Sequence, residues 1–384
     1  METGRTYKAI IVGAGPAGLI AGRLIEDCLL LDKKEEIGKP IQCGEGISNK
    51  ALQRQGIKPD PAWICSQIRI VSRVMPNNKC FGRYHEEDLG LGYVINRTNF
   101  EKFLAGKIIS KIKLNSRVVN IENRNDLWQV YTQDNQVYRS EYILGADGPN
   151  STVRREVFPE NENRMDFFPA IEYLTEIEKP LDLKKIEMFF DAEKYCQGYA
   201  WIFPKSKNTA NIGLCGKNIN LSIFNQFLEQ VVKVKYGFYR LLENKSGAIP
   251  IAKPGLTPVK DKVLLIGDAA GLADPFFKGG MSQAMLSAKI AAQCISSNKT
   301  SSYKKNLQSI GLLNKKTYKA AQTFYSLDNQ VFNELGEVLE SKGTSYLKTG
   351  KGIKQIFKKP VLRKNLIKIF LSFKAWWKNR DYLW

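Results

Sequence analysis

The chain is poor in the residues from which many enzyme centres are built. It holds one histidine, His85. That residue sits in the charged stretch 83–88 and reads as a solvated loop residue, so neither a histidine triad nor a histidine-based metal site is expected. The seven cysteines, at 28, 43, 65, 80, 196, 215 and 294, form no C-x-x-C pair. A zinc ribbon or a cysteine-held iron–sulfur cluster is therefore not expected, and no metal site is assigned. The scattered, odd set suits a reducing cytoplasm. No apolar run approaches the roughly 18 residues of a membrane span. No secretory leader is expected, because an apolar strand begins within a few residues of Met1. Acidic residues are also scarce: 38 stand against 58 Lys and Arg, a net charge of +20. Apart from compositional drift, such an excess fits an anionic membrane surface, an acidic electron donor or nucleic acid, and charge alone does not choose.

A length of 384 residues, 43% of them apolar, allows two domains, or one large domain with an insertion. Apolar runs predict buried strands at 7–12, 29–31, 143–146 and 263–266, and helices at 16–26, 99–111 and 281–295. Residues 118–137 alternate like a meander, with turns at 124–126 and 134–135. Segments 67–93 and 167–216 read mostly as strand, and the chain from 301 onward mainly as helix.

Three glycine-rich segments carry chemistry. Gly13-Ala14-Gly15-Pro16-Ala17-Gly18 follows a predicted strand and opens a helix, the context that a dinucleotide fingerprint requires. Gly13 permits the tight turn, Gly15 lets backbone approach a pyrophosphate, and Gly18 allows helix to pack on strand. Asp32 ends the next strand and can accept ribose hydroxyls. The second segment, Gly145-Ala146-Asp147-Gly148 followed by Arg154-Arg155, delivers an acid into a turn. The third, Ile266-Gly267-Asp268-Ala269-Ala270-Gly271, again places an acid at a strand end, where Asp268 can hold the hydroxyls of a polyol. Gly279 and Gly280 let backbone approach a flat ring, and the helix from Met281 points its positive end there, suited to the charge of a reduced flavin. Two glycine-rich helix starts fit one long ligand with a pyrophosphate and a ring. FAD is such a ligand.

Together these segments resemble the flavoprotein superfamily that includes aromatic hydroxylases. Pro40-Ile41-Gln42-Cys43-Gly44-Glu45-Gly46 and Gly198-Tyr199-Ala200-Trp201-Ile202-Phe203-Pro204 narrow the resemblance to the geranylgeranyl reductase family, over about residues 6–300. It implies an FAD-dependent reductase that saturates C=C bonds of isoprenoid chains in a lipid or other prenylated substrate. Carried over by motif, the FAD contacts are Ala17, Asp32, Cys43, Gly44, Gly46, Arg97, Val119, Asp268, Gly280 and Met281. Cys43 is the candidate catalytic residue, to orient the alkene or supply a proton, or else a small residue packing under Gly44. Tyr199, Trp201 and Phe203 share one strand face, as an aromatic wall for a prenyl chain. The first helix is shorter than in relatives, Asp32 stands where Glu is more usual, Met281 where Ile is common, and Lys278 replaces a small residue.

The expected fold is α/β: a discontinuous Rossmann-like FAD-binding domain (1–69, 97–158 and 254–300), an inserted β-rich substrate domain (70–96 and 159–253), and a helical C-terminal region (301–384). Two rival functions share it, a flavin-dependent monooxygenase or halogenase and an electron-transfer flavoprotein serving a quinone. The electron donor, NADPH or reduced ferredoxin, is open, and no nucleic acid partner is expected. Residues 341–384 hold twelve Lys or Arg and one Asp. A helix over 361–378 would align Leu362, Leu366, Ile369, Phe370, Phe373 and Trp377, with Arg363, Lys364, Lys368, Lys374 and Lys378 beside them and Trp376 and Trp384 at interfacial depth. That face either docks on the inner surface of the cytoplasmic membrane or packs on the protein's own core.

Overall fold

The computed structural model describes residues 5–84, 91–340 and 342–379; His85 and Trp384 lie outside the described residues. Thr6–Val12 forms the middle of a parallel sheet, with Cys28–Leu31 and then Lys111–Lys113 on one side, and Val137–Gly145 and then Val263–Leu265 on the other. Ile10, Ile11, Leu30, Ile143 and Leu264 are wholly buried. Strands covered on both faces read as unbroken apolar runs, which is why these were visible in the sequence. The meander follows as expected, Val118–Arg124 to Leu127–Thr132 to Val137–Gly145. Asn125 and Asp126 take left-handed conformations, φ 52° and 63°, as a tight hairpin demands.

Two boundaries differ from expectation. The helix expected over 99–111 runs Arg97–Ala105, with the Asn96 side chain capping Asn99 N–H at 3.0 Å. The remainder contains the edge strand Lys111–Lys113. Ile108 and Ile112 continue Leu104's spacing of four and so imitate a helix, but the helix is capped at Gly106. The first helix, expected to reach 26, is Pro16–Leu24.

A second sheet has seven strands, in the order Tyr239–Ala252, Met165–Ile177, Thr209–Cys215, Tyr199–Pro204, Lys185–Phe189, Ile70–Val74 and Cys80–Tyr84. All pairs are antiparallel except Ile70–Val74 with Lys185–Phe189. One face buries Ala200, Ile202, Ile212 and Leu214 against the helical run 221–236. The opposite face carries Tyr199, Trp201 and Phe203 against Phe276, Phe277 and the C-terminal helices. A small antiparallel sheet of Gly46–Ser48, Gly92–Ile95 and Ile64–Ile68 lies beside the first core.

The C-terminal region corrects the reading of its last helix. Helix Tyr303–Ser309 adds Tyr303 and Leu307 to the core of the parallel sheet. Helices Lys315–Phe324, Asn329–Leu339, Gly350–Lys358, Pro360–Lys364 and Leu366–Asn379 pack with the second sheet. The expected helix over 361–378 is thus two helices, broken at Asn365. Leu362, Ile369 and Phe373 are buried, as is Trp376, so most of the expected membrane face is core. Of the expected face Phe370 points outward, 46% exposed, beside Ile367 at 75% and Leu371 at 54%. No helix among the described residues is long and apolar enough to cross a membrane.

Candidate functional site

At the carboxyl end of the parallel sheet the three glycines of the first segment play separate parts. Gly13 has φ 106°, and a Cβ there would stand 2.3 Å from the Ala146 carbonyl oxygen. A Cβ on Gly18 would stand 1.8 Å from the Gly13 carbonyl oxygen, so helix and strand touch backbone to backbone. A Cβ on Gly15 would meet nothing within 4 Å. Gly15 caps Pro16–Leu24 without a side-chain bond, and no acid occupies the first turn. The turn therefore presents amide donors to open space, the arrangement that suits a phosphate. Asp32 is buried, and its carboxylate accepts the amides of Ala14 (2.6 Å) and Lys34 (2.8 Å), so it fastens the glycine turn to the next strand. Val119 is half-exposed in the strand that begins just after Ser116, whose amide donates to the Asp32 carbonyl at 2.7 Å.

The second and third segments are tied together. The Asp147 carboxylate accepts the Ser151 hydroxyl (2.6 Å) and the Thr152 amide (2.7 Å), so this acid closes its own turn. Arg154 donates to the Ala269 carbonyl at 2.9 Å and pins the third segment. Gly267 fits between Ala17 and Ala284, 3.1 and 3.2 Å from where its Cβ would be. The two glycine-led helices, Pro16–Leu24 and Met281–Ser296, therefore start from one place. Gly280 caps the second without a side-chain bond or a first-turn acid. Beside it Asp268 is half-buried; among the described residues its carboxylate has no hydrogen-bond partner. Burial raises its pKa, and the nearby Arg97 opposes the rise. An unpartnered acid at the mouth of two such helix starts fits a polyol linking a pyrophosphate to a ring.

Arg97 is held by Glu101, Nε to Oε1 at 2.6 Å, with Glu101 fully buried. Burial lowers the Arg97 pKa, but Glu101 outweighs it and keeps the guanidinium charged. Cys43 interacts electrostatically with Arg97; burial pushes its thiol pKa up and Arg97 holds it down. The Cys43 sulfur accepts the Glu45 amide at 3.2 Å, and Gly46 opens the strand that pairs with Val94. Lys278, φ 59°, turns its ammonium away from the glycines, over the Phe168 ring at 3.9 Å and onto the Pro275 carbonyl at 2.8 Å. Burial lowers its pKa to about 8.

The aromatic wall is a continuous line. Ring centroids lie 5.8 Å apart from Tyr199 to Trp201, and 6.3 Å from Trp201 to Phe203. The Tyr199 hydroxyl donates to the Phe277 carbonyl, and Phe203 packs where a Gly44 side chain would stand, at 3.3 Å. Beyond Tyr199 an aromatic pocket continues between Phe190, Phe276, Phe277, Phe324, Phe373 and Trp376.

A buried polar cluster under the Cys43–Gly44 loop was not read from the sequence. Glu45 accepts Lys205 Nζ at 2.8 Å and Asn211 Nδ2 at 2.7 Å, and Lys245 Nζ stands 3.5 Å away. Glu172 accepts the Trp201 indole N–H at 2.9 Å. Glu45 lay inside a quoted motif. Glu172 had only a faint signal, an acid alone among apolar neighbours on a strand.

Comparison with known proteins agrees with this geometry. Residues 166–248, which carry the wall and the polar cluster apart from Glu45, match the geranylgeranyl reductase catalytic domain. The digeranylgeranylglycerophospholipid reductase of Methanococcus aeolicus is 31% identical over 77% of this chain and 79% of its own. Reductase 2 of that name from Methanopyrus kandleri is 28% identical over 93% of this chain and 96% of its own. Among solved structures, a geranylgeranyl bacteriochlorophyll reductase-like protein from Thermoplasma acidophilum superposes with TM-score 0.81 at 22% identity, covering 95% of this chain and 99% of that one. A flavin-dependent halogenase shares the fold at TM-score 0.66 and 15% identity, over 97% of this chain and 72% of its own.

Proposed function

The chain belongs to the geranylgeranyl reductase family of FAD-dependent oxidoreductases, and we propose that it saturates the C=C bonds of geranylgeranyl chains on a glycerophospholipid. The observation that carries this reading is the meeting of the two glycine-led helix starts with an aromatic wall at the Cys43–Gly44 loop. FAD, once reduced, supplies a hydride to one alkene carbon. Gly15 and the start of its helix would hold the pyrophosphate, Asp32 and Val119 the adenosine end, and Asp268 the ribityl hydroxyls. Gly279, Gly280, Met281, Arg97, Cys43, Gly44 and Gly46 would hold the ring. Tyr199, Trp201 and Phe203 orient the prenyl chain and keep water from the reacting bond. Cys43 faces that bond with a thiol kept protonated by burial, so it can give a proton.

The chain's entry is read from the C-terminal helices. Ile353, Phe357, Ile367, Phe370 and Leu371 line an outer groove, and its wall at Phe373 is also a wall of the inner aromatic pocket. Lys354, Lys358, Lys368 and Lys374, on the same helices as the groove, are exposed. Exposed apolar side chains and lysines on the same helices suit an anionic lipid surface, from which a prenyl chain could pass inward without crossing water.

The test is anaerobic. Chemically reduced enzyme mixed with geranylgeranyl glycerophospholipid should raise the lipid mass by about two units for each bond saturated, two hydrogens being added. A product that needs oxygen and gains one oxygen atom would overturn the reading.

A further inference from the structure

One row of the second sheet explains the buried cluster. Lys245 pairs in register with Glu172, Glu172 with Gly213, and Gly213 with Trp201. Gly213 has no side chain to stand in the way: a Cβ there would lie 2.5 Å from the Trp201 ring. The indole therefore reaches across Gly213 and donates to Glu172 Oε2. On the other side Lys245 Nζ stands 3.6 Å from Glu172 Oε1 and 3.5 Å from Glu45 Oε2. Glu45 has the closer partners, Lys205 and Asn211. Burial pushes its pKa up, but the two lysines outweigh that and hold it below the usual range. Glu172 has only the longer lysine contact. Burial lifts its pKa to about 8 against the pull of Lys245 and the indole, so it carries a proton at neutral pH.

The position of that carboxyl matters. Glu172 Oε2 lies 3.4 Å from where a Gly44 side chain would begin, one residue from Cys43. Glu172, Glu45 and Arg97 all act on the Cys43 thiol. No part of flavin binding uses Glu172, and a buried carboxyl whose Oε1 has no hydrogen-bond partner costs stability.

We propose that Glu172 is the proton reservoir of the reduction, resupplying the Cys43 thiol that protonates the second alkene carbon. The proposal rests on the reductase reading. The Sγ–H bond breaks as the new C–H bond forms, and the thiolate takes the Glu172 proton. The other carbon receives the hydride from the reduced flavin, so the alkene is reduced by two electrons and the flavin oxidised by two. The carboxylate left behind is met by the Trp201 N–H and Lys245, and it regains its proton from solvent before the next turnover. Trp201 and Lys245 are positioning residues in this scheme.

The test compares wild-type holoenzyme with Glu172→Gln, Glu172→Asp and Trp201→Phe. Single-turnover saturation by the wild type should fall as pH rises through about 8, when Glu172 loses its proton. Glu172→Gln should be slower by about 100-fold, the scale of general-acid catalysis, with that pH limb gone; Glu172→Asp should restore it. Trp201→Phe removes one donor to the carboxylate and should move the limb to higher pH. The second readout needs no turnover: the pH dependence of Cys43 alkylation, read on its peptide with Cys43→Ser as blank. Above pH 8 the Glu172 charge holds the thiol up, so Glu172→Gln should shift the alkylation profile to lower pH. Wild-type rate and pH limb in Glu172→Gln overturn the proposal. So does a slow Glu172→Gln that keeps both the limb and the alkylation profile, which would make Glu172 only structural. If wild-type holoenzyme saturates no prenyl chain at any pH, the reductase reading fails first.

Discussion

Two alanine substitutions in the first glycine segment separate folding from flavin binding. At Gly18 a methyl would stand 1.8 Å from the Gly13 carbonyl oxygen, so the helix must retreat by roughly 1 Å or more from a packed strand. Overpacking of that kind costs about 1–3 kcal/mol, and more where backbone cannot yield. At Gly15 a methyl would meet nothing within 4 Å, and the backbone, φ −83° and ψ −174°, is one that alanine adopts freely. Replacing glycine there should even stabilise the apoprotein, by up to about 1 kcal/mol, because the unfolded chain loses freedom. The same methyl occupies the space through which a pyrophosphate would reach the helix amides. Loss of one charge-assisted hydrogen bond is worth about 1.5–3 kcal/mol, which is roughly 10- to 150-fold in FAD dissociation constant. The assay is urea unfolding of both apoproteins, with FAD titration followed by flavin fluorescence. Gly15→Ala should keep or raise the apoprotein midpoint and lose affinity, while Gly18→Ala should lower the midpoint. Wild-type FAD affinity in Gly15→Ala would refute the pyrophosphate path, and a wild-type midpoint in Gly18→Ala would refute the packing argument.

Asp268→Ala should weaken FAD by about 1–3 kcal/mol yet stabilise the apoprotein at neutral pH, since it removes a carboxylate without a partner. Burial raises the Asp268 pKa in the folded state, so the apoprotein loses stability as pH rises through the carboxylate range, and the gain from Asp268→Ala should fade toward acid pH, in unfolding curves taken across that range. Phe373→Ala, which empties a buried site between Phe324 and Trp376, should cost about 3–5 kcal/mol in urea unfolding. Ile367→Ser, Phe370→Ser and Leu371→Ser combined should cost little stability, the three side chains being exposed. In flotation with anionic vesicles the triple variant should lose about 3 kcal/mol, on the order of 100-fold in partition, at roughly 1 kcal/mol for each partly exposed side chain. Equal flotation of wild type and triple variant would remove the membrane contact.

The parallel sheet was legible because its strands are buried on both faces and its turns need glycine for close backbone approach, as at Gly13 and Gly18. Such signals are local in the chain. The last helix was legible only in period: spacings of three and four identify a face, and the same spacing serves a membrane or a core. Leu362, Ile369 and Phe373 went to the core because the second sheet offers an aromatic surface opposite them. That surface comes from residues far apart in the chain, at 73–81, 190, 276–277 and 320–339, so no window of sequence contains it. The same holds for Lys111–Lys113, whose strand pairing with Cys28–Leu31 outweighed a helical spacing.

The two halves of the candidate site differ in legibility for a physical reason. The flavin half is built from backbone: amides at Gly15 and Gly280, brought close because no side chain intervenes. Backbone recognition shows in sequence as glycines at fixed spacing after a strand. The reducing half is built from side chains set across a sheet, Lys245 to Glu172 to Trp201, and cross-strand pairing leaves no fixed spacing in the chain. Only Trp201 stood in a recognisable run. Gly213 is the one local mark of the row, a glycine inside a strand that gives an indole room to lie flat. A strand glycine opposite a tryptophan, with an acid on the next strand, is thus a structural signature of this cluster that sequence motifs miss. Gly213→Ala should displace the indole from Glu172 and press on the Ile171 carbonyl oxygen, 2.6 Å from the new Cβ, while leaving both glycine-led helices untouched. Its flavin affinity should therefore match wild type while its pH limb of turnover moves as in Trp201→Phe. Loss of flavin in Gly213→Ala would mean that the two halves are not separable and that the row across the sheet supports the flavin site itself.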